Sequence, residues 1–190
     1  DDIAKRLPLL RAWFQESADA HGIDWRLLAA IGYQESRWLN DAASGDGAVG
    51  LMMLTDSTAK AMGVKDRRDS RQSIQGGAAY LAQVMKMVPQ RIAEPDRTWL
   101  AVAAYNVGFG HLEDARILAQ THGRNADSWD DVSRYLPLLA EEQWYTQAKR
   151  GYARGWEPVR FVEQVRGFLA VLEWLGTDAS SDITLAPVAN

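Results

Sequence analysis

Residues 157–175 place Val159, Val162, Val165, Phe168, Leu169 and Leu172 at steps of three and four, a spacing that forms one stripe only when the backbone is helical. Pro158 fits the first turn of that helix, where a missing N–H costs nothing. The same period recurs along the chain. Ile3, Leu7, Leu10 and Phe14 follow Asp1 and Asp2 as candidate caps, with Gly22 as a stop. A second helix begins near Asp24 and runs through Leu27, Leu28 and Ile31 towards Glu35. Further helices are predicted at 72–88, broken by Pro89, at 96–106, opened by Asp96, and at 110–122 and 138–150. With no internal repeat and no low-complexity linker, the expectation is one mainly helical domain over residues 1–176. Residues 177–190 lack periodicity and are expected to form a disordered tail.

Composition narrows the function. A length of 190 residues suits one domain and is enough to bury a core without covalent staples. A net charge of −4 argues against a surface that tracks phosphates, so no nucleic-acid partner is expected. The absence of Cys excludes disulfides and thiolate metal sites. His21, His111 and His122 stand far apart and read as surface residues, so neither a metal nor any other cofactor is predicted. The acidic residues Asp127, Asp130 and Asp131 read as a capped, solvated turn. "GFG" at 108–110 lacks the third glycine of a nucleotide fingerprint, and no G-x-S-x-G elbow occurs. The best apolar stretch, Phe168 to Leu175, contains Glu173 and falls short of the ~20 residues a membrane span needs. The chain starts without an initiator Met or a leader, so it reads as processed or excised.

The chemistry concentrates in "YQESRWLNDAASGDGAVGLMML", residues 33–54. Glu35 ends an apolar helix, and "AVGLMML" after the polar loop is able to return apolar side chains beside it. Burial there would keep the carboxyl protonated and fit it for proton donation near neutral pH. The bland alternative is a solvated helix-end glutamate. "AVGLMML" itself reads either as a short strand or as a buried run entering a helix capped by Thr55 or Asp56 and stopped by Gly63. In "AVAAYNVGFG" at 101–110, Tyr105 and Asn106 present a hydroxyl and an amide at a helix end; as a cap, Asn106 would do no more than terminate the helix. Asp41 and Asp46 follow Glu35 in the loop, and Asp46 remains open as a second carboxylate.

Four segments together carry a resemblance. "ESRWLNDAASGDGAVGLM" resembles the E-S…S-x-x-G-A-x-G-L-M signature of the family 1 lytic transglycosylases. "SIQGGAAYL" at 73–81 is similar to their N-I-x-A-G-x-x-Y-L segment, "AVAAYNVGFG" to A-x-A-Y-N-x-G-x-G, and "EPVRFVEQV" at 157–165 to their final E-T-x-x-Y-V-x-x-V helix. The resemblance implies a lysozyme-like, mainly α fold with a substrate cleft and at most a minimal β element. It implies cleavage of the MurNAc-β-1,4-GlcNAc bond of peptidoglycan glycan strands without water, leaving 1,6-anhydromuramoyl ends. Glu35 would be the single acid and then base, assisted by the substrate's N-acetyl group. Ser44, Gly47, Ala48, Met52, Met53, Tyr105, Asn106 and Glu157 would contact substrate.

The sequence departs from the pattern where Met53 replaces the usual Gln, Thr55 a frequent Met, Ser73 the Asn, and Phe161 the Tyr. These changes fit a membrane-bound subgroup of the family. That likeness implies a periplasmic place, a lipid anchor to the outer membrane, and an N-terminal regulatory domain outside these residues. Two rivals stand beside this reading: a goose-type-lysozyme-like hydrolase, and a wall-binding domain without catalysis.

Overall fold

A computed structural model describes residues 2–181, with side chains described through residue 176. Asp1 as a candidate cap and residues 182–190 of the expected tail lie outside the described residues. The described chain folds as α1 (Asp2–Asp19), α2 (Trp25–Ser36), α3 (Asp56–Ala61), α4 (Ser70–Met87), α5 (Asp96–Val107), α6 (Phe109–Thr121), α7 (Trp129–Tyr135), a 3-10 turn (Pro137–Ala140), α8 (Glu142–Tyr145) and α9 (Trp156–Ser181). The mainly α expectation is met. α9 continues to Ser181, past the boundary expected at 176.

Local chemistry sets most helix starts. The Asp24 carboxylate accepts from the Arg26 N–H at 2.8 Å, Thr55 Oγ1 from the Thr58 N–H at 3.2 Å, and the Asp69 carboxylate from the Gln72 N–H at 2.8 Å, each holding a donor the helix leaves orphaned. Gly108, with φ 89, ends α5 and starts α6, so α5 runs through Asn106 rather than ending on it.

α5 is the central rod. Leu100 through Tyr105 are all buried, the pattern of a helix enclosed on every side. α4, α6 and α9 pack around it, while α1 and α2 pack against each other, α1 against α4 and α2 against α9. Phe14, Leu28, Ile31, Leu51, Leu81, Leu100, Leu112 and Leu139 fill the interior. Each such side chain contributes ~1.5–3 kcal/mol by leaving water.

Several expectations give way to contacts between distant parts of the chain. The helix predicted at 138–150 is only a 3-10 turn and the single turn α8. Asp114 of α6, itself buried, accepts from the backbone N–H groups of Lys149 and Arg150 at 3.2 and 2.8 Å, taking donors a continuing helix would need. α7, not predicted, starts where the Trp129 N–H donates to the Asp96 carboxylate of α5 at 2.8 Å, and it buries Trp129 and Val132. In the acidic cluster beside it, Asp131 caps the turn by accepting from the Asn125 N–H at 2.9 Å and Asp130 is exposed, as expected, while Asp127 is clamped by Arg91 and Arg116. His111 is half-buried, not a surface residue.

Candidate active site

Glu35 is the penultimate residue of α2, and the chain reverses immediately after it. Arg37 and Trp38 both take left-handed backbone, φ 56 and 61, which is uncommon for residues with side chains. Burial holds the turn in place. The Trp38 ring is buried and its Nε1 donates to the Ala29 carbonyl at 2.8 Å, beside the stacked pair Tyr33 and Phe168 with centroids 4.0 Å apart. Trp38 thus ties the end of α2 to α9.

The "AVGLMML" run then enters the core as a chain of turns, with isolated bridges Ala43–Val49 and Val49–Leu54 and no strand among the described residues. Ser36 Oγ donates to the Leu51 carbonyl at 2.7 Å, fastening the run to α2. Ser73 Oγ, fully buried, accepts from the Met52 N–H at 3.0 Å. The Ser in place of the family's Asn therefore holds this turn. Arg67 clamps the other side, donating to the Gly47 and Leu54 carbonyls at 2.8 and 2.9 Å.

These elements wall a cleft of about 390 Å³ lined by Glu35, Ser44, Asp46, Ala48, Met53, Thr55, Tyr80, Tyr105, Asn106, Arg154 and Glu157, among others. Glu35 is half-buried in its wall. Removal from water raises its pKa from 4.5 to about 8, so the carboxyl is protonated at neutral pH and able to act as an acid. Asp46 is placed differently. It is exposed, and its carboxylate accepts from Arg154 Nη2 at 2.9 Å. Among the described residues no group of His, Asp and Glu is placed to hold a metal ion.

Two expected cleft residues lie elsewhere. Met52 is fully buried, packed on Gly77, where an added Cβ would meet its side chain at 2.7 Å; hydrophobic packing claims the side chain. Gly47 is outside the cleft lining and gives its carbonyl to Arg67. Ser44 uses its hydroxyl within the loop, accepting from the Ala48 N–H at 3.1 Å. The Tyr105 hydroxyl, expected to contact substrate, donates instead to the Met52 carbonyl at 3.1 Å. Burial raises its pKa, and nearby Glu35 and Tyr80 add to the rise. Tyr105→Phe should therefore cost ~1–1.5 kcal/mol of stability by orphaning a buried carbonyl, with turnover falling less than about tenfold. Denaturant midpoints and initial rates on the same preparation check this, and an unchanged midpoint would show that the bond contributes nothing.

The sequence reading missed Tyr80 and Arg154. Tyr80, whose ring centroid lies 5.1 Å from that of Tyr105, was in plain view as the Tyr of "SIQGGAAYL". Arg154 had no local signal, because its partner Asp46 is distant in sequence.

The transglycosylase SLT domain family matches residues 12–128. The chain belongs to that family. It is 56% identical over 173 residues to a membrane-bound lytic murein transglycosylase F of Stutzerimonas stutzeri, covering 91% of this chain and 36% of the relative. A protein of the same name from Hahella chejuensis is 50% identical over 184 residues, covering 97% of this chain and again 36% of the relative. This SLT chain thus spans about a third of the length of the curated relatives it matches. Among solved structures, an inactive glutamate-to-glutamine mutant of the lytic transglycosylase Slt from Pseudomonas aeruginosa aligns with TM-score 0.63 and 25% identity, over 90% of this chain and 25% of that one. No helix among the described residues of the SLT chain is long and apolar enough to cross a membrane.

Proposed function

We propose that this chain is a catalytic domain that cleaves the MurNAc-β-1,4-GlcNAc bond of peptidoglycan without water, giving 1,6-anhydromuramoyl products. The observation that carries the reading is Glu35, a carboxyl half-buried in the cleft wall and protonated at neutral pH. As an acid it gives its proton to the leaving oxygen while the substrate's N-acetyl group stabilises C1. As a carboxylate it then takes the proton of the C6 hydroxyl that closes the anhydro ring. One residue thus serves both steps, and the proton count balances without a water.

The relatives named lytic murein transglycosylases support this reading, as does the loss of activity on changing one glutamate in Slt. Ordinary glycosidases use two carboxylates, one of them a nucleophile or base. Asp46 lines the same cleft and is the alternative for that role, which a mechanism run by Glu35 in both steps does not need. Asp46→Asn should therefore cost less than about tenfold in rate; a loss equal to that of Glu35→Gln would favour a two-carboxylate hydrolase. Ala48, Met53, Tyr105, Asn106 and Glu157 form the sugar-binding walls in this proposal. The relatives' name and greater length further support a periplasmic, membrane-attached parent protein with an additional regulatory domain.

Mass spectrometry of digests from purified peptidoglycan decides the reaction. Each cut should yield fragments one water lighter than a lysozyme digest. Reducing muramic ends as the main product would overturn the proposal in favour of hydrolysis.

A further inference from the structure

We propose that Arg154 recognises a carboxylate on the muramoyl side of the glycan strand, which makes this cleft selective for acidic strands over neutral ones. The inference rests on the reading of the cleft as a peptidoglycan site and adds the substrate feature that the cleft selects.

Arg154 lines the same cleft as Glu35. Its Nη2 contacts the Asp46 carboxylate at 2.9 Å and its Nη1 the Glu157 carboxylate at 3.2 Å. Those contacts engage two of the five N–H donors a guanidinium carries. The side chain is 49% exposed, so its charge is also accessible from the cleft. Ion pairs this exposed contribute ~0–1 kcal/mol, too little for the arginine to be explained as a stabilising strut.

The backbone beneath it is fixed. At Gly155 an added Cβ would lie 1.6 Å from the Leu136 carbonyl oxygen, so residues 154–155 are pressed against the end of α7. The Ala153 N–H donates to the Leu139 carbonyl at 3.0 Å, fixing the other side. The backbone that carries the guanidinium to the cleft is therefore held at a set place.

Arg154 is the one basic side chain among the described residues lining the cleft, so it governs how the cleft meets an anionic strand. With Glu35 protonated, the cleft holds Asp46 and Glu157 against Arg154. Losing the arginine would leave two carboxylates facing an anionic polymer. Muramoyl residues carry carboxylates of two origins: the lactyl group when the stem peptide is absent, and the stem itself when it is present. Either makes a charge-assisted pair with a guanidinium.

The test compares binding to E35Q with binding to the double variant E35Q/R154Q, so no chemistry is needed, and measures kcat/KM of R154Q against wild type. Three substrates are used: peptide-bearing strands, strands stripped of stems with free lactyl carboxylates, and stripped strands whose lactyl groups are coupled to a neutral amide. R154Q should weaken binding and kcat/KM by about tenfold on at least one of the charged strands, mostly through KM, and not on the neutral one. Loss on peptide-bearing strands assigns the carboxylate to the stem; loss on stripped strands assigns it to the lactyl group. R154K, which keeps the charge, should recover part of the loss. A loss of the same size on neutral strands, or no loss on any, overturns the proposal. Failure of the transglycosylase reading would show instead as reducing-end products from the wild type.

Discussion

Glu35→Gln should lower turnover by ~10²–10⁴-fold or more while leaving the protein folded. Glutamine has nearly the shape of glutamic acid and can replace its hydrogen bonds, but it neither donates nor accepts the reacting proton. One side chain serving both steps places the loss at the upper end of that range. Retention of more than a tenth of wild-type activity would remove Glu35 from the reaction.

The same substitution has a pH signature. The folded-state pKa of Glu35 is about 8 against an ordinary 4.5, so between those values the folded protein holds a proton the unfolded chain has released. Stability contributed by this group therefore falls as pH rises from 4.5 to 8, by at most about 1.4 kcal/mol per pH unit. E35Q escapes that cost. Its denaturation midpoint should match wild type below about pH 4.5 and exceed it increasingly towards pH 8. The wild-type rate should fall as pH rises through 8, where the acid form is lost. Equal stabilities of the two proteins at pH 8 would show that the carboxyl is not held in a desolvated place.

Gly50→Ala should lower stability strongly, by ~3 kcal/mol or more. Gly50 has φ 86, and an added Cβ would lie 1.8 Å from the Arg67 carbonyl oxygen. The neighbour is backbone and cannot swing aside. Gly50 also donates its N–H to the Ala42 carbonyl at 2.9 Å and accepts from the Met53 N–H at 3.0 Å, so a displaced Gly50 disturbs the turn that carries Met53 into the cleft. Chemical denaturation of G50A measures the loss. A midpoint within ~1 kcal/mol of wild type would mean that the two crossing segments separate easily.

The sequence by itself determined the helices with strong apolar periods and local caps. The stripes through Leu27, Leu28 and Ile31, and through Val159, Val162 and Val165, depend only on a 3.6-residue repeat, and the caps at Asp24 and Thr55 act within three residues. It also singled out Glu35, because an acid between an apolar helix and a glycine-rich loop is a local pattern. Four motifs in order carried the family. Only the tertiary structure decided what long-range contacts control. Whether Glu35 is acid or carboxylate depends on the cleft wall formed around it. Whether Asp46 is free depends on Arg154, 108 residues away. The helix expected at 138–150 yields to Asp114, whose carboxylate reaches backbone donors 35 and 36 residues further on. The Tyr105 hydroxyl serves Met52, 53 residues earlier, because a carbonyl buried in the core must find a donor and periodicity carries no record of which one.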